Sequence, residues 1–169
     1  MPTPLPTDPA GFLDRLTELV RLKVESVPDA GHVFSEIPYN DDLSAYARKN
    51  AIAYKGKKVV RVVEVLPIRF PKEIEYTSTT SMLTIRYGVS VIREFVDKYS
   101  DGMSSTPEFR AFNMMLRDAF RKDRTFGYRT SEIFHNFLQM QTDFGVAKFD
   151  GFTAETAIWI LDVEVFPNG

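Results

Sequence analysis

The sequence contains no cysteine and only two histidines in 169 residues. Disulfides, thiolate metal sites and cysteine nucleophiles are therefore excluded. Neither His32 nor His135 has a partner at metal-site or catalytic spacing, so we expect both to be structural or surface residues. The fold must be held together by the packing of side chains, within one chain or between chains.

Long hydrophobic runs are also missing. No stretch of about 18 apolar residues exists, and we expect no membrane-spanning helix. Residues 1–7 lack the basic and apolar regions of a signal peptide. They contain three prolines, which favours an extended arm over residues 1–8. These features predict a cytosolic or intracellularly assembled protein.

Motifs for catalysis or nucleotide binding are missing as well, since the sequence has no GxSxG, Walker or GxGxxG element. A metal-dependent nuclease would place an aspartate and a Glu-x-Lys pair at the ends of paired strands. The nearest candidates are Glu64, Lys72, Glu73 and Glu75, without that spacing, and solvated charges are the favoured interpretation. We expect no enzyme activity, no cofactor and no metal site, with a small nuclease as a less favoured alternative.

The net charge of −2 argues against a general nucleic-acid binder. The charges are nevertheless segregated along the chain. Residues 1–42 carry three basic and eight acidic side chains, residues 43–72 eight basic and one acidic, and residues 131–169 one basic and six acidic. Solvated faces alone can produce this pattern. The alternative is a surface with a positive and a negative side, suited to heterologous contacts between copies.

Basic residues cluster in two places. One segment mixes them with aromatic residues, as single-stranded nucleic-acid sites do, although a solvated loop is favoured; it contains Tyr46, Arg48, Lys49, Tyr54, Lys55, Lys57 and Lys58. The other cluster follows a predicted helix end. Arg124 and Arg129 lie too far beyond that end to stabilise the helix. Binding an acidic group or a phosphate of a partner therefore remains an alternative role for them.

Apolar residues at helical spacing predict a helix over residues 12–27, which begins at Thr7-Asp8-Pro9. A second helix is predicted over residues 107–121, where Ser105 and Glu108 have the spacing of a capping box. Asp42 is a candidate cap for a short helix over residues 43–54. Residues 131–141 repeat apolar side chains in a pattern that is more helical than strand-like.

Dense β-branched or alternating apolar residues predict strands over residues 32–37, 59–66, 82–93, 144–149 and 154–166. Asp150-Gly151 is a hairpin signal between the last two strands. Residues 157–161, which include the only tryptophan, Trp159, are apolar on both faces. We therefore expect both faces to be buried and this segment to be central in a sheet. Residues 69–81 are predicted to be a polar connector.

The order helix, strands, helix, strands predicts an α+β fold, in which two or three helices cover a largely antiparallel or mixed β-sheet. Hydrophobic residues make up 44% of the chain, enough for a sizeable core. Phenylalanine is frequent, at 14 residues, which fits a large core or a protein interface. We expect one domain over residues 9–169, preceded by the arm.

This layout resembles that of the tail terminator, or tail completion, proteins of long-tailed bacteriophages. The resemblance spans about residues 9–166 and rests on the order of elements: an amphipathic helix (12–27), two strands (59–66 and 82–93), a second helix (107–121) and a closing strand (157–166). The closing strand ends in alternating apolar and acidic residues. Segments 38–58 and 121–142 are longer than the family needs.

The resemblance implies a structural virion protein without catalytic residues. It implies a ring, usually of six copies, that caps the completed tail tube and joins it to the head connector. The implied partners are other copies of the chain, the tail tube protein and a head-completion or stopper protein, with DNA passing through at most non-specifically. Assembly would take place in the host cytoplasm and the final location would be the virion neck. The alternative in the same setting is a neighbouring neck component, such as a stopper or a tube-like protein.

Candidate interface residues come from the connector and from the basic segment after the second helix. They are Arg69, Lys72, Glu73, Glu75, Arg124 and Arg129.

Overall fold

The computed structural model describes residues 2–6, 8–75, 81–141 and 143–166, and within them all side chains except those of residues 9, 69–75, 81 and 82. These residues form an α+β fold of three helices and nine strands. The helices are α1 (Pro9–Glu25), α2 (Leu43–Lys49) and α3 (Thr106–Lys122). The strands are β1 (His32–Phe34), β2 (Ile52–Tyr54), β3 (Lys57–Val59), β4 (Arg61–Glu75), β5 (Ser81–Glu94), β6 (Ile133–His135), β7 (Gln139–Met140), β8 (Gly145–Phe149) and β9 (Phe152–Val165).

One large mixed sheet has the strand order β1-β4-β5-β9-β6, with β7 and β8 also paired to β9. The β1–β4 pair is parallel and the other pairs are antiparallel, while β2 and β3 form a separate hairpin. β9 pairs with β5 along one edge and with β8, β7 and β6 in turn along the other. The predicted central position of the closing strand is therefore confirmed, as is the hairpin at Asp150-Gly151.

Helices α1 and α3 cover one face of the sheet, here called the inner face. On β5 the alternating residues Ile85, Tyr87, Val89 and Val91 are all buried in this layer. On β9 the inner face holds Ala157, Trp159 and Leu161, all buried, with four phenylalanines of the two helices packed in the same core. This layer is the main hydrophobic core.

The opposite, outer face is only partly covered. Helix α2 packs there against a smaller cluster that includes Phe34, Val62 and Ile92. Beyond it, Ile158 on β9 is 37% exposed. The expectation that both faces of residues 157–161 are buried is therefore wrong. A strand can be central in its sheet while one face stays open to solvent, because pairing and layer packing are separate constraints.

Two of the predicted helix caps are confirmed. The Asp8 carboxylate accepts a hydrogen bond from the Gly11 amide (2.8 Å), and that of Asp42 accepts one from the Ala45 amide (2.7 Å). Helix α2 is shorter than predicted and ends at Lys49, because the chain then turns into the β2–β3 hairpin.

The capping box predicted for α3 is wrong. Ser105 is the N-cap, but its side chain makes no cap hydrogen bond. Its hydroxyl instead accepts from the Val96 amide (2.9 Å) and donates to the Glu155 carboxylate (2.9 Å). These partners come from distant strands, so the spacing of Ser105 and Glu108 could not reveal them.

The predicted connector is also wrong where the structure describes it. β4 continues through Glu75 and pairs with β5 from Lys72 opposite Thr84 to Glu75 opposite Ser81. Two register shifts between Pro67 and Lys72 accommodate Pro67, which cannot donate a backbone hydrogen bond. Residues 76–80 of the predicted connector lie outside the described residues. A ribbon of two strands is held by backbone pairing, so its polar composition did not mark it as sheet.

The helix predicted over residues 131–141 does not form. This segment contains β6 and β7, which pair with opposite ends of the second half of β9. The apolar residues of two short strands, separated by the three residues 136–138, happen to fall at helical spacing. Among the described residues no helix is both long and apolar enough to cross a membrane.

Candidate functional site

A network of charged side chains lies where β4 begins, beside the first turn of α3. Glu108 accepts hydrogen bonds from the Tyr54 hydroxyl (2.7 Å), the Lys55 ammonium (2.6 Å) and the Arg61 guanidinium (3.3 Å). Lys55 also donates to Asp101 (2.5 Å). Burial would raise the pKa of Glu108, but the hydrogen bonds from Lys55 and Tyr54 outweigh it and hold this pKa below its usual value. The carboxylate is ionised and fully engaged, so it stabilises the fold and is not poised as a base.

Two buried arginines, Arg61 and Arg93, lie opposite each other on β4 and β5. The Arg61 guanidinium is 3.8 Å from the centre of the Tyr54 ring, and that of Arg93 is 4.3 Å from the centre of the Phe112 ring. Arg93 donates to the Asp29 carbonyl, while its Nε and Nη1 have no partner among the described residues. Burial, and then the charge of Arg61, lower the pKa of Arg93 to about 10. Because both side chains are closed to solvent, they pack this corner of the fold and face no substrate.

Glu155 extends this row of charges onto β9, where it lies opposite Arg93. Its Oε1 accepts hydrogen bonds from the hydroxyls of Ser105 (2.9 Å) and Thr106 (3.2 Å) at the start of α3. A negative charge at a helix N-terminus is stabilised by the helix dipole. None of the described hydrogen bonds involves Oε2 of Glu155, so this oxygen keeps an acceptor position.

Two of the carboxylates considered for a metal-dependent nuclease lie far apart in the fold. Glu64 and Glu73 lie on the same strand, β4, and nine residues of a strand span about 30 Å. Glu64 stands on the outer face, where burial raises its pKa. Among the described residues no group of three histidines or carboxylates could hold a metal ion. At this separation Glu64 and Glu73 cannot share one metal ion.

Both histidines make hydrogen bonds within the fold. His32 Nε2 lies 2.8 Å from the Tyr46 hydroxyl. His135 is buried, with Nδ1 2.7 Å from the carbonyl of Asn136 and Nε2 2.6 Å from that of Asp123. Burial lowers the pKa of each histidine. Since neither ring contacts a carboxylate among the described residues, the geometry supports structural roles.

The segment that mixes basic and aromatic residues is split up by the fold. Tyr54 and Lys55 bind Glu108, and Lys49 pairs with Asp41 at 2.8 Å. The aromatic rings therefore face their own chain and offer no stacking platform for bases. Three members are exposed and make no ion pair among the described residues: Arg48, Lys57 and Lys58.

Four of the candidate interface residues lie on the β4–β5 ribbon, in the part of β4 whose side chains are outside the described residues. They are Arg69, Lys72, Glu73 and Glu75. They lie on a paired strand and not in the connector that the sequence predicted. Their role at an interface stays a prediction.

Arg124 is partly used within its own chain. Its Nε donates to the His135 carbonyl (2.6 Å), and its guanidinium lies 4.4 Å and 4.2 Å from the ring centres of Phe134 and Phe137. Phe137 is 41% exposed, so arginine and aromatic ring together form a rigid surface patch of the kind found in interfaces. Arg129 is exposed.

A groove that the sequence analysis missed lies between α3 and β8. It measures about 270 Å³, and Phe95, Phe109, Phe144 and Val146 form its apolar walls. Phe109 is buried, whereas Phe95, Phe144 and Val146 are 44%, 41% and 70% exposed. The groove forms because β8 continues the sheet beyond the cover of α3. The only sequence signal for the groove was the high frequency of phenylalanine, which does not indicate where in the fold an exposed aromatic surface lies.

Two edges of the large sheet have no further strand in the described part of the chain. β8 pairs with β9 alone, and β1 borders β4 only as far as Glu64, which leaves residues 65–75 open on that side. Open edges present unpaired amide and carbonyl groups that can pair with another chain. Pro67 and Pro71 have no amide hydrogen, so neither residue can donate a ladder hydrogen bond along β4. The two edges are unlike, so a contact between them would be heterologous.

The fold and these surfaces define an α+β protein built on one large mixed sheet. Its buried charged side chains are held by hydrogen bonds and ring contacts, while strand edges and apolar patches are exposed at its surface. In comparison with known proteins, no family model matches this chain and no curated protein matches it.

Proposed function

We propose that this protein is a structural virion component that caps the completed tail tube of a long-tailed bacteriophage as a ring and joins it to the head connector. The layout of elements that resembles the tail terminators supports the proposal. In the described residues this layout comprises α1, the β4–β5 hairpin, α3 and the closing strand β9.

One observation carries the proposal furthest: the described sheet has two unlike open edges, one formed by β1 and the rest of β4 and the other by β8, β7 and β6. A contact that joins one edge to the other edge of the next copy is head to tail, and such contacts close into a ring when the rotation between copies permits it. The β4–β5 ribbon adds to this. Its last pairs, Ile74 with Met82 and Glu75 with Ser81, extend beyond the end of β9, and an isolated two-stranded ribbon is marginally stable in water without a partner.

The proposal is tested by mass measurement and electron microscopy. We expect native mass spectrometry to find a closed oligomer, most simply of six 19.3-kDa chains, either alone or with the tail tube protein encoded by the same genome. Negative-stain images should show it at one end of the tubes only. A strict monomer in both conditions would refute the proposal, and binding to the head connector without binding to the tube would favour a neighbouring neck component.

A further inference from the structure

We propose that Tyr39 forms the contact between copies by entering the groove between α3 and β8 of the next copy. The inference rests on the proposed function in one respect, namely that a second copy of this chain is the occupant of the groove. It adds which residue inserts, which surface receives it and how the contact is directed.

Tyr39 is presented to solvent on an ordered turn. Its side chain is fully exposed, at 101%. The Asp41 amide donates to the Pro38 carbonyl (2.9 Å), which closes a β-turn with Tyr39 inside it. Ile37 packs on the smaller core cluster before the turn, and Lys49 binds the Asp41 carboxylate (2.8 Å) after it. Because the backbone of the turn is held on both sides, only the side-chain rotamer of Tyr39 has to be fixed on binding, which lowers the entropic cost of the contact.

The groove has the size and chemistry for a tyrosine ring. Its volume of about 270 Å³ exceeds the roughly 150 Å³ in which an apolar cavity can hold benzene. Phe95, Phe109 and Phe144 supply aromatic walls, and Glu155 belongs to the same lining. Oε2 of Glu155 takes part in none of the described hydrogen bonds, and a buried tyrosine hydroxyl needs an acceptor. Apolar walls with one acceptor at the floor favour tyrosine over phenylalanine.

The charges around the two surfaces are complementary. The turn is flanked by Glu36 and Asp42, both exposed. The groove is bordered by Arg110, which is exposed on α3, and by Lys148, which is exposed on β8 on the same face as Val146. None of these four charges forms an ion pair among the described residues. The acidic turn of one copy therefore matches the basic border of the next, and like charges disfavour contact between two turns or two grooves.

The contact is directional, because the turn precedes α2 on the outer side of the sheet and the groove lies on the inner side. A copy that has inserted its Tyr39 still offers its own groove to another copy. This is the arrangement from which head-to-tail rings are built.

The test uses two surface variants of the full chain and their mixture. Tyr39→Ala removes the inserted ring, and Val146→Glu places a negative charge in the groove. Both residues are largely exposed, so each variant should fold, with a far-ultraviolet circular dichroism spectrum that matches the wild type. Met103→Ala is the matched control, since Met103 is 52% exposed and lies outside both surfaces.

We expect each of the two variants to weaken self-association by about 30-fold or more, as loss of a central anchor does, with the control unchanged. An equal mixture of Tyr39→Ala and Val146→Glu should form a dimer and nothing larger, because one intact turn can still enter one intact groove. Tyr39→Phe keeps the ring and loses the hydroxyl, so it should weaken association by about threefold to tenfold.

Three outcomes would overturn the inference. If both variants assemble like the wild type, the contact lies elsewhere and the ring proposal still stands. If Val146→Glu alone loses binding to the tail tube protein while self-association is unchanged, the groove receives the tube and not a second copy. If the wild type assembles neither alone nor with the tube, the inference and the proposed function fail together.

Discussion

Trp159 provides the sharpest test of the packing described here. It lies on the inner face of β9, only 4% exposed, and its indole N–H donates to Oδ1 of Asn113 on α3 (2.8 Å). Asn113 is itself fully buried, and its amide nitrogen donates to the Phe109 carbonyl (2.7 Å). The pair therefore joins the central strand β9 to helix α3. The indole N–H of Trp159 and Oδ1 of Asn113 satisfy each other's hydrogen bond in the core.

Two substitutions separate the volume of Trp159 from its hydrogen bond. Trp159→Ala empties a large aromatic site, which costs about 3–5 kcal/mol, out of the roughly 5–15 kcal/mol that domains possess in total. For a chain of this length that corresponds to a loss of about 6–20 °C in melting temperature. Trp159→Phe keeps most of the packing but leaves the Asn113 oxygen without a donor, at about 1–3 kcal/mol.

The assay is urea unfolding followed by circular dichroism, at fixed protein concentration because assembly adds to apparent stability. The wild type also reports through its single tryptophan, whose emission should be blue-shifted when folded and move to the red on unfolding. Asn113→Leu combined with Trp159→Phe completes a double-mutant cycle, and we expect a coupling of about 0.5–3 kcal/mol. If Trp159→Ala keeps wild-type stability but fails to assemble, Trp159 belongs to an interface and the packing argument is wrong.

Three further outcomes are expected. Glu108→Gln should destabilise the fold by about 2–3 kcal/mol, because it removes the charged acceptor of the network. Folding lowers the pKa of Glu108 from 4.5, so the ionised carboxylate stabilises the fold above pH 4.5 and this stabilisation is lost as the pH falls further. Melts at several pH values should therefore show the difference between wild type and variant shrinking below pH 4.5. Arg93→Met should fold with stability within about 1 kcal/mol of the wild type or above it, since replacing a buried charge of lowered pKa by an apolar chain is often neutral or stabilising, and a loss above about 3 kcal/mol in urea unfolding would contradict this. Deleting residues 72–80 should leave a folded chain by circular dichroism but impair assembly by mass measurement; an unfolded product would mean that the ribbon is needed for the core.

Elements with a strong local signal could be predicted from the sequence. The apolar spacing of α1 and α3 and the alternation along β5 and β9 depend on which face is buried, and every such element keeps one face in the main core. The caps Asp8 and Asp42 were also predictable, because a cap bonds an amide only three residues away.

Elements defined by distant partners could not be predicted. Residues 131–141 are two short strands because β9 supplies their pairing, and no local pattern contains β9. The β4–β5 ribbon is polar and is held by backbone bonds, which the side-chain pattern does not record. Ser105 turns from its capping role to Glu155, a residue 50 positions away.

The candidate surfaces were likewise predictable only in part from the sequence. Arg124 was selected from the sequence because it follows a helix end, but only the fold sets its guanidinium between two phenylalanine rings. The groove at β8 and the turn that exposes Tyr39 had no signal of their own. A residue's type and spacing determine which side of its own element is apolar, so the sequence alone determined the helices α1 and α3, the long strands β5 and β9 and the absence of thiol chemistry. Which strands become edges, and which apolar side chains are left uncovered there, depends on where the layers end in space, and only the tertiary structure decided that.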